Sequence, residues 1–234
     1  MVALKRWTMR QAVILSSLVC CGITNGYIFG QMSGMLTALI SSKLTYVEIS
    51  WIAASVTITS VFGFAFAAII TEKIGRKRAI TFFSIPIIIN WVLLYFAQEM
   101  MLFMISRIFV GVGFGGLLSM CVISTAEYTS PKIRGLFLII TTSVGPAIGT
   151  ALGHIFGILF HWRTVALIGI VPTALAVILS LFSEESPAWL ASKGRYDECD
   201  KAFRRLHGFN RGSEKELTVL KEIEKGKEQK VKGT

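Results

Sequence analysis

The chemically capable side chains of this 234-residue sequence gather at the ends of apolar runs rather than inside them. Glu72-Lys73-Ile74-Gly75-Arg76-Lys77-Arg78 separates two such runs. Glu127 closes another, Arg134-Gly135 opens the next seven residues later, and Glu184-Glu185-Ser186-Pro187 follows the last. Acid and base together at these junctions let the ions pair at a low-dielectric boundary, an option that a loop of one sign lacks. Gly75 supplies the backbone freedom for a turn between two helices. Arg107 stands near the start of its own run and reads as an outer helix-end charge that snorkels to the surface. Other chemistries find no constellation. No Gly-x-Ser-x-Gly occurs, His154, His161 and His207 are scattered, and no metal-ligand pair sits at helical spacing. Neither an enzyme nor a metal or cofactor site is implied.

The elements that must position these charges are set by composition. Hydrophobic residues make up 53% and charged residues only 16%, against about a quarter charged in soluble domains. A water-soluble globule and a disordered chain are both excluded. Apolar runs fall at about 11–39, 51–70, 79–97, 102–126, 136–160 and 164–182, each long enough to cross a bilayer as a helix. Residues 1–10 then form a short N-terminus, 11–182 a six-helix membrane domain, and 183–234 a polar helical tail. Apolar spacing over 196–206 predicts one amphipathic tail helix stopping at Gly208, and 214–224 a second. From Lys225 onward the chain is too polar to pack.

The net charge of +10 is not a nucleic-acid signature, because it is distributed as membrane loops require. One side of the six spans carries Lys5, Arg6, Arg10, Lys73, Arg76, Lys77, Arg78, Lys132 and Arg134; the other carries Lys43, Arg107 and Arg163. Both termini are therefore expected in the cytoplasm. Cys20, Cys21 and Cys121 lie in apolar runs and Cys199 is alone in the tail, so no disulfide framework is implied.

Taken in order, Glu72-x-x-Gly75-Arg76-Lys77, Arg107-x-x-x-Gly111-x-Gly113, Glu127 to Arg134-Gly135, and Glu185-Ser186-Pro187-Ala188-Trp189-Leu190 resemble the amino-terminal half of the sugar porter family of the major facilitator superfamily. Ser50-Trp51-Ile52-Ala53 and Ile85-Pro86 to Asn90-Trp91 further resemble insect facilitated trehalose and sugar transporters. The resemblance implies an all-α fold, six transmembrane helices forming one half of a major facilitator fold, in the plasma membrane. It implies facilitated transport of a sugar, trehalose or hexose, by alternating access. Glu72, Arg76, Lys77, Glu127, Arg134 and Glu185 would form a cytoplasmic gate. Ala68, Glu184 and Ala188 stand where the family has Gly, Pro and Arg, so the latch is expected to be weaker or wired differently.

In proton-coupled relatives the residue matching Arg107 faces an Asp directly after Gly-Tyr. Here the triplet is Gly26-Tyr27-Ile28, which points to facilitated diffusion. Sugar recognition calls for amides, hydroxyls and an aromatic face, for which the candidates are Asn25, Phe29 and Gln31 in the first span and Thr141, Thr142 and Ser143 in the fifth. Glycines at four-residue spacing, such as Gly22, Gly26, Gly30 and Gly34, predict close helix contact. Because the substrate of such a fold lies between two halves, this chain reads as a half-transporter, either truncated from a longer chain or in need of a second copy or a partner half. The alternative is a non-transporting half-length membrane subunit that binds or regulates a partner.

Overall fold

A computed structural model describes residues 9–40, 45–207, 214, 217–219 and 221–222. The helices are α1 (Met9–Ile40), α2 (Tyr46–Ile74), α3 (Arg76–Phe96), α4 (Met100–Tyr128), α5 (Pro131–Ile139), a π-helical turn (Ile140–Val144), α6 (Gly145–Leu159), α7 (Trp162–Phe182), α8 (Pro187–Ser192) and α9 (Tyr196–His207). Among the described residues six helical segments are long and apolar enough to cross a membrane, the fifth made of α5, the π turn and α6.

Helix boundaries run past the apolar runs where caps allow it. α2 begins at Tyr46 rather than near 51 because Thr45 and Glu48 form a capping box: the Thr45 N–H donates to Glu48 Oε2 at 2.8 Å, and the Glu48 N–H returns to Thr45 Oγ1. α5 begins at Pro131 rather than near 136, with proline in the first turn, where a missing N–H costs nothing.

Two seams organise the bundle. α1 packs along α6, where Gly22, Gly26, Gly30 and Gly34 lie against the backbone at Thr141, Pro146, Thr150 and Gly157. A methyl group on Gly26 would overlap the Pro146 carbonyl, and one on Gly149 the Ile23 carbonyl. α4 packs on α2 and α3, with α3 and α1 also meeting α7. Tyr27 and Trp91 lie edge to face at the core, Tyr27 donating to the Val165 carbonyl and Trp91 to Thr173 Oγ1. Large apolar side chains such as Phe62, Phe66, Ile158 and Phe182 point outward, as lipid requires.

The first tail helix matches its expected span. Cys199, Ala202 and Phe203 of α9 form a separate apolar cluster with Trp189 and Leu190 of α8 and with Leu217. Within the expected second tail helix, residues 214, 217–219 and 221–222 are helical; Gly208 and the stretch from Lys225 lie outside the described residues.

Candidate functional site

Three helix junctions meet on the face covered by the tail. The guanidinium of Arg76, at the first position of α3, reaches Glu127 near the end of α4: Nε lies 2.9 and 3.1 Å from the two carboxylate oxygens, and Nη2 2.7 Å from Oε1. Nη1 donates to the Thr71 carbonyl at 3.0 Å, tying in the end of α2. Both ionised side chains are mostly buried, at 13% and 17% exposure, so the forked pair is stronger than an exposed one.

Glu185 takes a different partner from the cation expected. Its Oε1 accepts the backbone N–H groups of Arg76 at 2.8 Å, Lys77 at 3.1 Å and Ser186 at 3.1 Å. The carboxylate thus caps the open N-terminus of α3, where free N–H groups and the helix dipole favour negative charge. Gly75 makes this approach possible: its φ is +91°, and a Cβ there would meet the Glu185 carboxylate. Lys77 Nζ donates to the Ser183 carbonyl at 3.0 Å, Trp189 Nε1 to the Glu72 carbonyl at 2.9 Å and Tyr128 to the Glu184 carbonyl at 2.9 Å. Glu184 also pairs with Arg10 and Arg205.

Two expected gate residues stand apart. Glu72 contributes its carbonyl, while its side chain is exposed beside a cavity of about 350 Å³ shared with Arg76, Glu127 and Ala188. Ala188, where the resemblance expects Arg, offers it no cation. Arg134 does not pair with Glu127. Its Nη2 reaches only the Thr129 carbonyl, at 3.5 Å, and its Nε has no partner among the described residues.

Arg107 requires a correction. It is fully buried rather than snorkelling outward, because it shares the inward face of α4 with Phe103, Ser106 and Val110, two turns inside the helix. Nη2 lies 3.2 Å from Met35 Sδ, while Nε and Nη1 have no hydrogen-bond partner among the described residues. Ile28, also buried, supplies no carboxylate.

The recognition candidates divide into two groups. Asn25 and Gln31 lie inside the bundle rather than on an open wall, and their amides find no partner among the described residues. Helical phase explains this: Asn25 continues the stripe of Leu18 and Cys21, and Gln31 follows Tyr27 by one turn. Phe29 is 44% exposed, its ring edge-on to Phe114 of α4 at 5.1 Å. Thr141 and Thr142 bond their own helix, at the Phe137 and Leu138 carbonyls, whereas Ser143 is exposed. All three sit in the π-helical turn. Pro146, which has no N–H, cannot bond the Thr142 carbonyl, so the α ladder fails there; such bulges recur at functional sites.

A further pair escaped the sequence reading. Ser33 Oγ of α1 and His154 Nδ1 of α6 are 2.5 Å apart, and Thr150 Oγ1 donates to the Gly26 carbonyl. The available signal was Ser143, Thr150 and His154 at spacings of seven and four, a polar stripe on an apolar helix.

This arrangement of six spans can be set against known proteins. A family model described as "Sugar (and other) transporter" matches residues 16–234. The chain belongs to that family. Sugar transporter ERD6-like 9 of Arabidopsis thaliana is 29% identical over 196 residues, 84% of this chain and 59% of the relative. Sugar transporter ERD6 of the same plant is 28% identical over 210 residues, 90% and 42% respectively. Among solved structures, the major facilitator superfamily proton:xylose symporter XylE bound to 6-bromo-6-deoxy-D-glucose superposes with a TM-score of 0.81. The match is 18% identical and covers 93% of this chain and 54% of that one. The partially occluded inward-open xylose transporter XylE from E. coli gives 0.77 at 18% identity, covering 91% and 59%. The fold is therefore half of a major facilitator fold, and the chain is an integral membrane protein. It spans about half the length of the relatives it matches.

Proposed function

We propose that this chain is one half of a sugar carrier working by alternating access, with trehalose or a hexose as cargo. The observation that carries the reading is the lock at the tail face, where Arg76, Glu127 and Glu185 bind the ends of α2, α4 and α7 to the start of α3. A carrier needs such a contact on one side, strong when closed and breakable when the cargo is released to that side. The bias of Lys and Arg supports a cytoplasmic side for this face and for both termini, and the resemblance supports the plasma membrane. The divisions at 10/11 and 182/183 separate the N-terminus, the membrane domain and the tail.

The cargo contacts the wall of Phe29 and the π turn with Thr142 and Ser143, and Asn25 and Gln31 turn their unpartnered amides toward it as α1 shifts along the glycine seam. Transport is facilitative, since Ile28 replaces the acid that would exchange a proton beside Arg107. A second half completes the carrier, supplied by a longer chain, by another copy or by a partner. Uptake of labelled trehalose and glucose by vesicles holding only this polypeptide, run beside chemical crosslinking, tests the reading: saturable uptake is expected from the associated species. Uptake that collapses with a proton uncoupler would contradict facilitated diffusion.

A further inference from the structure

The tail and the membrane domain line an open cavity of about 530 Å³ that the lock does not use. Its apolar lining includes Ile74 at the end of α2 and Leu181, exposed, near the end of α7. Its walls carry Lys77 and Arg78 from the first turn of α3 and Arg195, Lys201 and Arg205 from the tail, against the carboxylates of Glu184, Glu185 and Glu198.

The charges do not cancel. Glu198 is held by Arg195, through Nε at 2.8 Å and Nη2 at 2.5 Å. Glu184 is shared by Arg205 and Arg10. Glu185 is committed to the N–H groups capping α3, and Lys77 to the Ser183 carbonyl. Arg78 of α3 and Lys201 of α9, both exposed, make no ion pair among the described residues. Two cations thus face a polar cavity at the depth where two spans leave the bilayer.

We infer that this cavity binds a phosphate-bearing anion. A phosphomonoester carries a charge of about −1.5 to −2 with three acceptor oxygens, matching the two uncompensated cations, and the Arg78 fork fits its oxygens. Ile74 and the exposed Leu181 beside these cations suit an anionic lipid headgroup, and the same chemistry admits a soluble phosphate ester. An occupant bridging Arg78 and Lys201 fastens α9 to the first turn of α3, beside the lock. The inference is independent of the cargo.

The experiment purifies the full chain into nanodiscs of phosphatidylcholine alone or with phosphatidic acid or phosphatidylinositol 4-phosphate, and counts retained lipid by native mass spectrometry. A parallel titration with glycerol phosphate follows thermal unfolding. Arg78→Gln with Lys201→Gln is compared with Lys73→Gln with Lys193→Gln, which removes the same charge outside the cavity. At about 1 kcal/mol per cation, the cavity variant is expected to lose anionic lipid about tenfold or more, while the control keeps it. Arg78→Lys, keeping the charge, retains most binding and guards against misfolding. Binding and stabilisation by glycerol phosphate alone, lost in the cavity variant, support the same site with a soluble occupant. Equal losses in the two double variants, or no loss in either, overturn the inference.

Discussion

The guanidinium of Arg76 grips the carboxylate of Glu127 with Nε and Nη2 together, at 2.7 to 3.1 Å, while its remaining nitrogen holds the Thr71 carbonyl in the last turn of α2. One side chain therefore fastens three helix ends. Arg76→Ala leaves a mostly buried carboxylate unpaired and is expected to cost about 2–3 kcal/mol. Glu127→Gln, which keeps one acceptor, costs less. Thermal unfolding in detergent measures both, and near-neutral effects would show that the contact is incidental.

The glycine seam gives a sharper contrast. Gly26→Val drives a side chain into the Pro146 backbone, and Gly149→Val into Ile23, each with an expected cost of about 1–3 kcal/mol or more. Gly135 lies in α5 with nothing within 4 Å of its would-be Cβ. Gly135→Ala is expected to be neutral, or stabilising by up to ~1 kcal/mol. Unfolding midpoints of the three variants check the pattern.

Much of this was legible in the sequence. The six spans, the first tail helix and the Gly22 to Gly34 stripe follow from hydropathy and period alone. Charge at the junctions was visible, but its pairing was not. Glu185 goes to backbone N–H groups, a choice set by where α8 docks, and Arg134 is left beside Thr129. Arg107 read as a surface charge because it lies near the start of an apolar run. α4 starts at Met100, so seven residues bury it roughly 10 Å along the axis. The π turn has one sequence cue, Pro146, which does not by itself distinguish a bulge from a kink.

Arg107 is a buried cation with a thioether as its hydrogen-bond partner. Replacing it by Met removes a charge that has no counterion among the described residues, at similar volume, so Arg107→Met is expected to raise stability by about 1–3 kcal/mol. A loss of stability would mean that the guanidinium has a counterion beyond the described residues.

In the tail, burial pushes the Cys199 thiol up from its ordinary value of 9.0 to about 11, with Asp200 adding to the rise. The folded tail favours the neutral thiol. Its contribution is therefore fully present below pH 9 and is lost as pH rises toward 11. Tail unfolding, followed by maleimide labelling of a variant retaining only Cys199, is expected to become easier across that interval. Labelling as fast as that of an unfolded peptide at pH 8 would contradict the packing of α8 on α9.

Counterflow measures the central claim most directly. Liposomes holding the purified, associated polypeptide are preloaded with unlabelled trehalose or glucose and diluted into trace labelled sugar. A carrier that alternates is expected to accumulate label transiently above equilibrium, unaffected by a proton uncoupler, and Phe29→Ala with Ser143→Ala is expected to weaken the overshoot. No overshoot with either sugar, from the homo-oligomer or from the chain joined to a partner half, would contradict the account.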